Sequence, residues 1–308
     1  MTMSIQEKQQ RVRELLKERN AVLLAHYYQR DEVQAIADFA GDSLGLSIEA
    51  TRTDAPVIVF AGVHFMAESV YILSPEKTVI LPAIQAGCPM ADMITKEKLL
   101  ALRDEYPGYT VVCYVNSSAE VKAYSDICCT SGNMLKVIES IENDKILMIP
   151  DKNLAKFAAR HFPEKDIKWY SGYCPTHDRV NAADVEEVKA LYPDAEVIAH
   201  PECAPEVLAL ADHICSTSGM SPYARQSSAR EFIIATEMGV LYQLRKDNPD
   251  KKFYIASRRL LCPNMKMTTL DSIIRSLETM ENIITVPEEI RLKARAAVEK
   301  MIAIPRNA

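Results

Sequence analysis

Residues 110–175 read TVVCYVNSSAEVKAYSDICCTSGNMLKVIESIENDKILMIPDKNLAKFAARHFPEKDIKWYSGYCP. TVVCYV is a β-branched run of the kind that forms a buried strand. SAEVKAYS follows at helical spacing behind a serine cap signal. DICCT then reads as a short strand and GNMLKVIESIEN as a helix. KILMIP, KNLAKFAARHF and IKWYSGYC give strand, helix and strand. Strands alternating with short helices predict parallel βαβ units with right-handed crossovers, hence an α/β fold.

The same plan occurs three times. Cys-Pro recurs at Cys88, Cys174 and Cys262, although 8 Cys and 16 Pro in 308 residues would give only about 0.4 such dipeptides by chance. An apolar strand ends in a polar group at His26-Tyr27-Tyr28, at Tyr114-Val115-Asn116 and at His200-Pro201-Glu202. A hydroxyl follows each strand end 17 residues later, at Ser43, Ser131 and Thr217. Pro-acid-Lys turns recur at Pro75-Glu76-Lys77, Pro163-Glu164-Lys165 and Pro249-Asp250-Lys251. A duplicated unit of about 87 residues accounts for all four features in one order. The expected units are 1–88, 89–174 and 175–262, followed by a helical tail over 263–308 that packs back on them.

Ligands of parallel sheets gather at the carboxyl ends of strands. His26, Tyr114 and His200 stand just after predicted strands, and each of the three Cys-Pro cysteines follows the last strand of its unit. Three units around a pseudo-threefold axis therefore aim these positions at a shared centre. Three thiolates at one point suit an iron–sulfur centre with an unfilled position, able to polarise a substrate oxygen. The hydroxyls at predicted helix starts suit phosphate or carboxylate groups. Cys113, Cys128, Cys129, Cys203 and Cys215 read instead as small buried hydrophobes. His64, His161 and His213 read as surface or satisfied core residues, and the short YCPTH stretch leaves the direction of His177 open.

The bulk properties exclude several classes. A net charge of −6 argues against a general nucleic-acid binder. No run of about 18 apolar residues predicts a membrane span. MTMSIQEKQQ has no apolar signal core, so a cytoplasmic location with reduced thiols is expected.

AHYYQ with GDSLGLS, then GCPMADM, YVNSSAEVKA, CTSGN, GYCPTH, HPEC, STSGM and LCPNMK together resemble the motif set of the quinolinate synthase family, from about His26 to Pro287. The resemblance implies three similar three-layer αβα units with parallel sheets around a central cavity. It implies one [4Fe-4S] cluster held by Cys88, Cys174 and Cys262, with one iron open to substrate. It implies a transferase that condenses iminoaspartate with dihydroxyacetone phosphate to quinolinate, phosphate and water in NAD biosynthesis. An aspartate oxidase or dehydrogenase is the implied source of iminoaspartate. Substrate-binding positions carry over to His26, Ser43, Tyr114, Val115, Asn116, Ser131, His200, Pro201, Glu202 and Thr217. Tyr28 and Glu202 are the candidate proton-transfer groups, with His26 and His200 as further catalytic candidates. Some members carry CxxCxxC near the last cysteine. Here LLCPNMK holds only Cys262, so no thiol–disulfide switch is expected there. The rival readings are an iron–sulfur electron carrier or iron sensor, and a zinc-stabilised binding module. The first would more often fill every cluster position with cysteine, and the second lacks a CxxC pair.

Overall fold

The computed structural model describes residues 3–307. The first sheet comprises β1 (Ala21–His26), β2 (Phe39–Gly41), β3 (Val57–Ala61) and β4 (Thr78–Ile80). The second comprises β5 (Thr110–Tyr114), β6 (Ile127–Cys129), β7 (Lys145–Ile149) and β8 (Asp166–Trp169). The third comprises β9 (Glu196–Ala199), β10 (His213–Ile214), β11 (Glu231–Ala235) and β12 (Lys252–Ile255). The strand orders are β2-β1-β3-β4, β6-β5-β7-β8 and β10-β9-β11-β12, and every pairing within them is parallel. Helices flank the sheets as three-layer units, as the repeat predicts. The symmetry extends to register, because Leu24 pairs with Phe39, Val112 with Ile127 and Ile198 with His213.

Side-chain alternation explains how the sheets share a core. In β1 and β3, Leu23, Ala25, Val59 and Ala61 face an outer layer made by helices Ile5–Glu18 and Leu270–Thr279. Leu24, Ile58 and Phe60 face the other way, into a cluster that also holds Val112, Ile198 and Ile234. Parallel strands buried on both faces need such continuous apolar runs.

Two repeated devices fix the units locally. Asp38, Asp126 and Asp212 stand just before the edge strands β2, β6 and β10. Their carboxylates each accept the backbone N–H of Leu23, Val111 or Val197 at 2.7 Å. The lysines of the Pro-acid-Lys turns are folded inward. Lys77 donates to the carbonyls of Ala50 and Thr53, Lys165 to that of Ile141, and Lys251 to those of Ala224 and Ser227. Each ammonium thereby meets carbonyls at or just beyond the end of the helix that leads into the third strand of its unit, namely Ser43–Arg52, Met134–Glu139 and Met220–Gln226, where the dipole favours positive charge.

Helix Glu288–Ala303 lies against helices His64–Leu73 and Ala119–Ala123 and against β6. Ile80 and Ile283 form an antiparallel bridge. Among the described residues, no helix is long and apolar enough to cross a membrane.

Asp126→Ala would leave the buried Val111 N–H unpaired. Urea titration is expected to show a loss of about 1–2 kcal/mol. An unchanged midpoint would remove this bond from the account of the fold.

Candidate active site

One cavity opens at the carboxyl ends of the three sheets. Its wall includes His26, Tyr28 and Ser43 from the first unit. Tyr114, Asn116 and Ser131 come from the second, and His200, Glu202 and Thr217 from the third. Cys88, Cys174 and Cys262 open onto the same space. Val115 and Pro201 do not line it; both are buried within the turns that carry their neighbours. The other five cysteines also stay off the wall. Four are fully buried and Cys215 is half-buried.

The strand-end histidines share one construction. Tyr28 N–H donates to His26 Nδ1 at 3.1 Å, and Glu202 N–H to His200 Nδ1 at 3.3 Å. A ring nitrogen that accepts a backbone N–H carries no proton, so in each neutral ring the proton sits on Nε2. His200 Nε2 then meets Ser131 Oγ at 3.0 Å. Burial, the largest influence, lowers His26 to about 4 and His200 to about 3, so both rings are neutral near pH 7.

Two positions after each strand end stand Tyr28, Asn116 and Glu202. Burial, reinforced by Glu202, pushes the Tyr28 phenol well above its ordinary value, so it is a proton donor. Burial would raise Glu202 too. The His177 and His200 imidazoles and the Tyr114 hydroxyl outweigh it and hold the carboxylate below its usual range. Asn116 Oδ1 and Glu202 Oε1 are buried without a hydrogen-bond partner. Unpaired polar atoms are costly in a core but serve a polar ligand.

The structure also settles the direction of His177. It is buried on the cavity wall, with Nδ1 2.7 Å from Glu202 Oε2 and 3.2 Å from Cys174 Sγ. Its Nε2 bonds Thr236 Oγ1 at 2.8 Å, and Thr236 bonds Tyr28 OH at 2.7 Å. Tyr28 and Glu202 are thus joined through Thr236 and His177, a chain that links the first unit to the third. Cys174, His177 and Glu202 present ligand atoms within 4.8 Å of one another, enough to hold a metal ion.

Sequence reasoning missed several wall and supporting residues. Asp151 and Glu237 each stand two residues past the third strand of their unit. They accept the backbone N–H of Cys174 and of Cys262, both at 3.1 Å. Val63 holds the equivalent place in the first unit, where His64 N–H instead bonds Ala86 carbonyl at 2.8 Å. Glu237 is buried and pairs with Lys266 at 3.0 Å. Asp42 was also overlooked. The expected helix-start role of the hydroxyls holds only in part. Asp42 caps helix Ser43–Arg52 by accepting Gly45 N–H at 2.9 Å. Helix Met134–Glu139 begins after Ser131 and spans 6 residues, too short for a strong dipole. Ser131 and Thr217 instead bond His200 and Tyr28.

Residues 10–303 match the profile of the quinolinate synthetase A protein family. The chain belongs to this family. Among its relatives, the quinolinate synthase of Geobacter metallireducens is 59% identical over 298 residues, covering 97% of this chain and 98% of that one. That of Geotalea uraniireducens is 58% identical over 296 residues, covering 96% and 97%. That of Methanosarcina barkeri is 53% identical over 295 residues, covering 96% and 97%. The span matched by the family profile takes in every wall residue named above.

Because His26 binds its proton less readily when folded, its contribution is complete above its unfolded value near 6.5. It is lost as pH falls toward about 4. Lowering the pH from 7 to 5 should cost about 2 kcal/mol through this ring. His26→Asn, which keeps an acceptor for Tyr28 N–H, should show a correspondingly flatter loss in urea titrations. An equal loss in both proteins would contradict a buried neutral His26.

Proposed function

We propose that this chain is a quinolinate synthase acting in NAD biosynthesis. It condenses iminoaspartate with dihydroxyacetone phosphate to give quinolinate, phosphate and two waters. The observation that carries this reading is that three thiols, one from each unit, open into the cavity that holds His26, Tyr28, His200 and Glu202.

The donor set fits an iron–sulfur cluster. Three sulfurs face one space, and burial pushes Cys88 up to about 12 and raises Cys174 and Cys262 as well. A strongly cationic group among them is what would hold all three as thiolates. Cys88, Cys174 and Cys262 would bind one [4Fe-4S] cluster, and the three-thiolate set leaves one iron free to act as a Lewis acid.

The chain's own residues supply the rest. Asn116 Oδ1 and Glu202 Oε1 are the unpaired acceptors for substrate N–H or O–H groups. His26 and His200 present Nε2–H donors, suited to carboxylate or phosphate oxygens. Ser43, Tyr114, Ser131 and Thr217 add hydroxyls on the same wall. Val115 and Pro201 shape the turns that aim Asn116 and Glu202. The ionised Glu202 is the base for protons leaving substrate carbon. The neutral Tyr28 phenol is the acid for a departing hydroxyl. The Thr236–His177 path between them lets a proton taken at one side be returned at the other. In this reading the enzyme works in the cytoplasm, supplied with the hydrolysis-prone imine by an aspartate oxidase or dehydrogenase.

An anaerobic assay with both substrates tests the reading, and quinolinate is the expected product. No quinolinate from cluster-loaded protein would refute it. Glu202→Gln should keep its iron and lose about 10²–10⁴-fold in turnover. Near-normal turnover would remove Glu202 from the chemistry. Cys174→Ala should lose its iron and sulfide. Full iron content in that variant would exclude Cys174 as a ligand.

A further inference from the structure

Asp42 is a buried carboxylate on the wall of a cavity proposed to take anions. Its counter-ion comes from the far end of the sequence. Arg306 grips it with both arms, Nη2 to Oδ1 at 2.7 Å and Nη1 to Oδ2 at 2.5 Å. Nη1 also donates to Ser218 Oγ, and Ser218 donates to Asp42 Oδ2 at 2.6 Å. The next residue reaches the second unit. Asn307 N–H donates to Gly132 carbonyl at 2.7 Å and its side-chain amide to Ser131 carbonyl at 3.1 Å. Arg306 and Asn307 thus touch the equivalent loop of all three units, the loops that carry Ser43, Ser131 and Thr217.

The fit is built rather than incidental. A Cβ on Gly45 would lie 2.9 Å from Arg306 Nη2, and one on Gly132 would lie 3.0 Å from Nη1. Both glycines leave room for the guanidinium. Burial alone would raise Asp42, yet the Arg306 pair, Ser218 and the Gly45 amide hold it below its ordinary value, so the charge is present at neutral pH. An ionised carboxylate beside an anion site repels the ligand unless it is paired. Arg306 lies beyond the matched family span, which ends at residue 303.

We propose that Arg306 is a positioning residue for the anionic substrates. By pairing with Asp42 it removes that carboxylate's repulsion for the ligand. This role rests on the quinolinate synthase reading. It assigns the Asp42–Arg306 pair to ligand affinity rather than to the chemical step.

The test uses anaerobically loaded holoenzyme, with quinolinate as the probe in titration calorimetry and steady-state kinetics alongside. Arg306→Ala should weaken quinolinate binding on the order of tenfold and raise KM similarly, with the loss falling on KM rather than kcat. Adding Asp42→Asn removes the unpaired charge and keeps an oxygen to cap Gly45 N–H. The double variant should bind within about threefold of wild type. Unchanged binding by Arg306→Ala overturns the role. So does a double variant as weak as the single one, the result of a purely structural clasp. A wild-type holoenzyme that makes no quinolinate overturns the functional reading and this role with it. A productive wild type with an unaffected Arg306→Ala overturns this role alone.

Discussion

A parallel strand delivers the residue that follows it to the carboxyl edge of its sheet, and here three such edges face one another. Each unit contributes the same few positions: a strand end, the residue two further on, a hydroxyl loop and a terminal cysteine. Repetition lets one local rule, the polar residue at the end of an apolar strand, act three times on one volume. The three copies have then diverged chemically. Tyr28, Asn116 and Glu202 occupy equivalent places yet differ as phenol, amide and carboxylate. A symmetric scaffold thereby holds an asymmetric set of groups, as the proposed condensation of two unlike substrates would require.

Placing so many ionisable groups in one water-poor space carries an electrostatic cost that the fold must meet locally. Glu202 is met by His177, Glu237 by Lys266 and Asp42 by Arg306. Asp151 has backbone N–H groups instead, those of Leu154 and Cys174. Burial and the nearby Glu202 accordingly push its carboxyl well above the usual range. The carboxylates that hold Cys174 and Cys262 by their backbone are therefore also part of the charge balance around the thiols. Positioning and electrostatics are supplied here by the same side chains.

Much of this was legible in the residues themselves. The alternation of strand and helix signals and the Cys-Pro recurrence disclosed the three α/β units, because both can be read from local sequence. The strand-end His, Tyr and Glu residues could be placed on one edge for the same reason. What escaped was what depends on contacts between units. His177 sits on a short helix whose direction is set by Glu202 and Thr236, 25 and 59 positions later in the chain, and through Thr236 by Tyr28 of the first unit. Arg306 meets a partner 264 positions earlier, which no periodicity announces. Asp151 and Glu237 look like ordinary polar residues after strands, and the first unit has Val63 there, so the repeat conceals them. The Pro-acid-Lys turns were visible, but their lysines fold back onto helix-end carbonyls rather than facing water.

The account's central claim is that Cys88, Cys174 and Cys262 meet at one iron–sulfur cluster. Iron anomalous scattering from crystals grown without oxygen tests it most directly. The predicted result is a single site of about four irons bonded to those three sulfurs. Density for one ion among Cys174, His177 and Glu202, with Cys88 and Cys262 free, would contradict it.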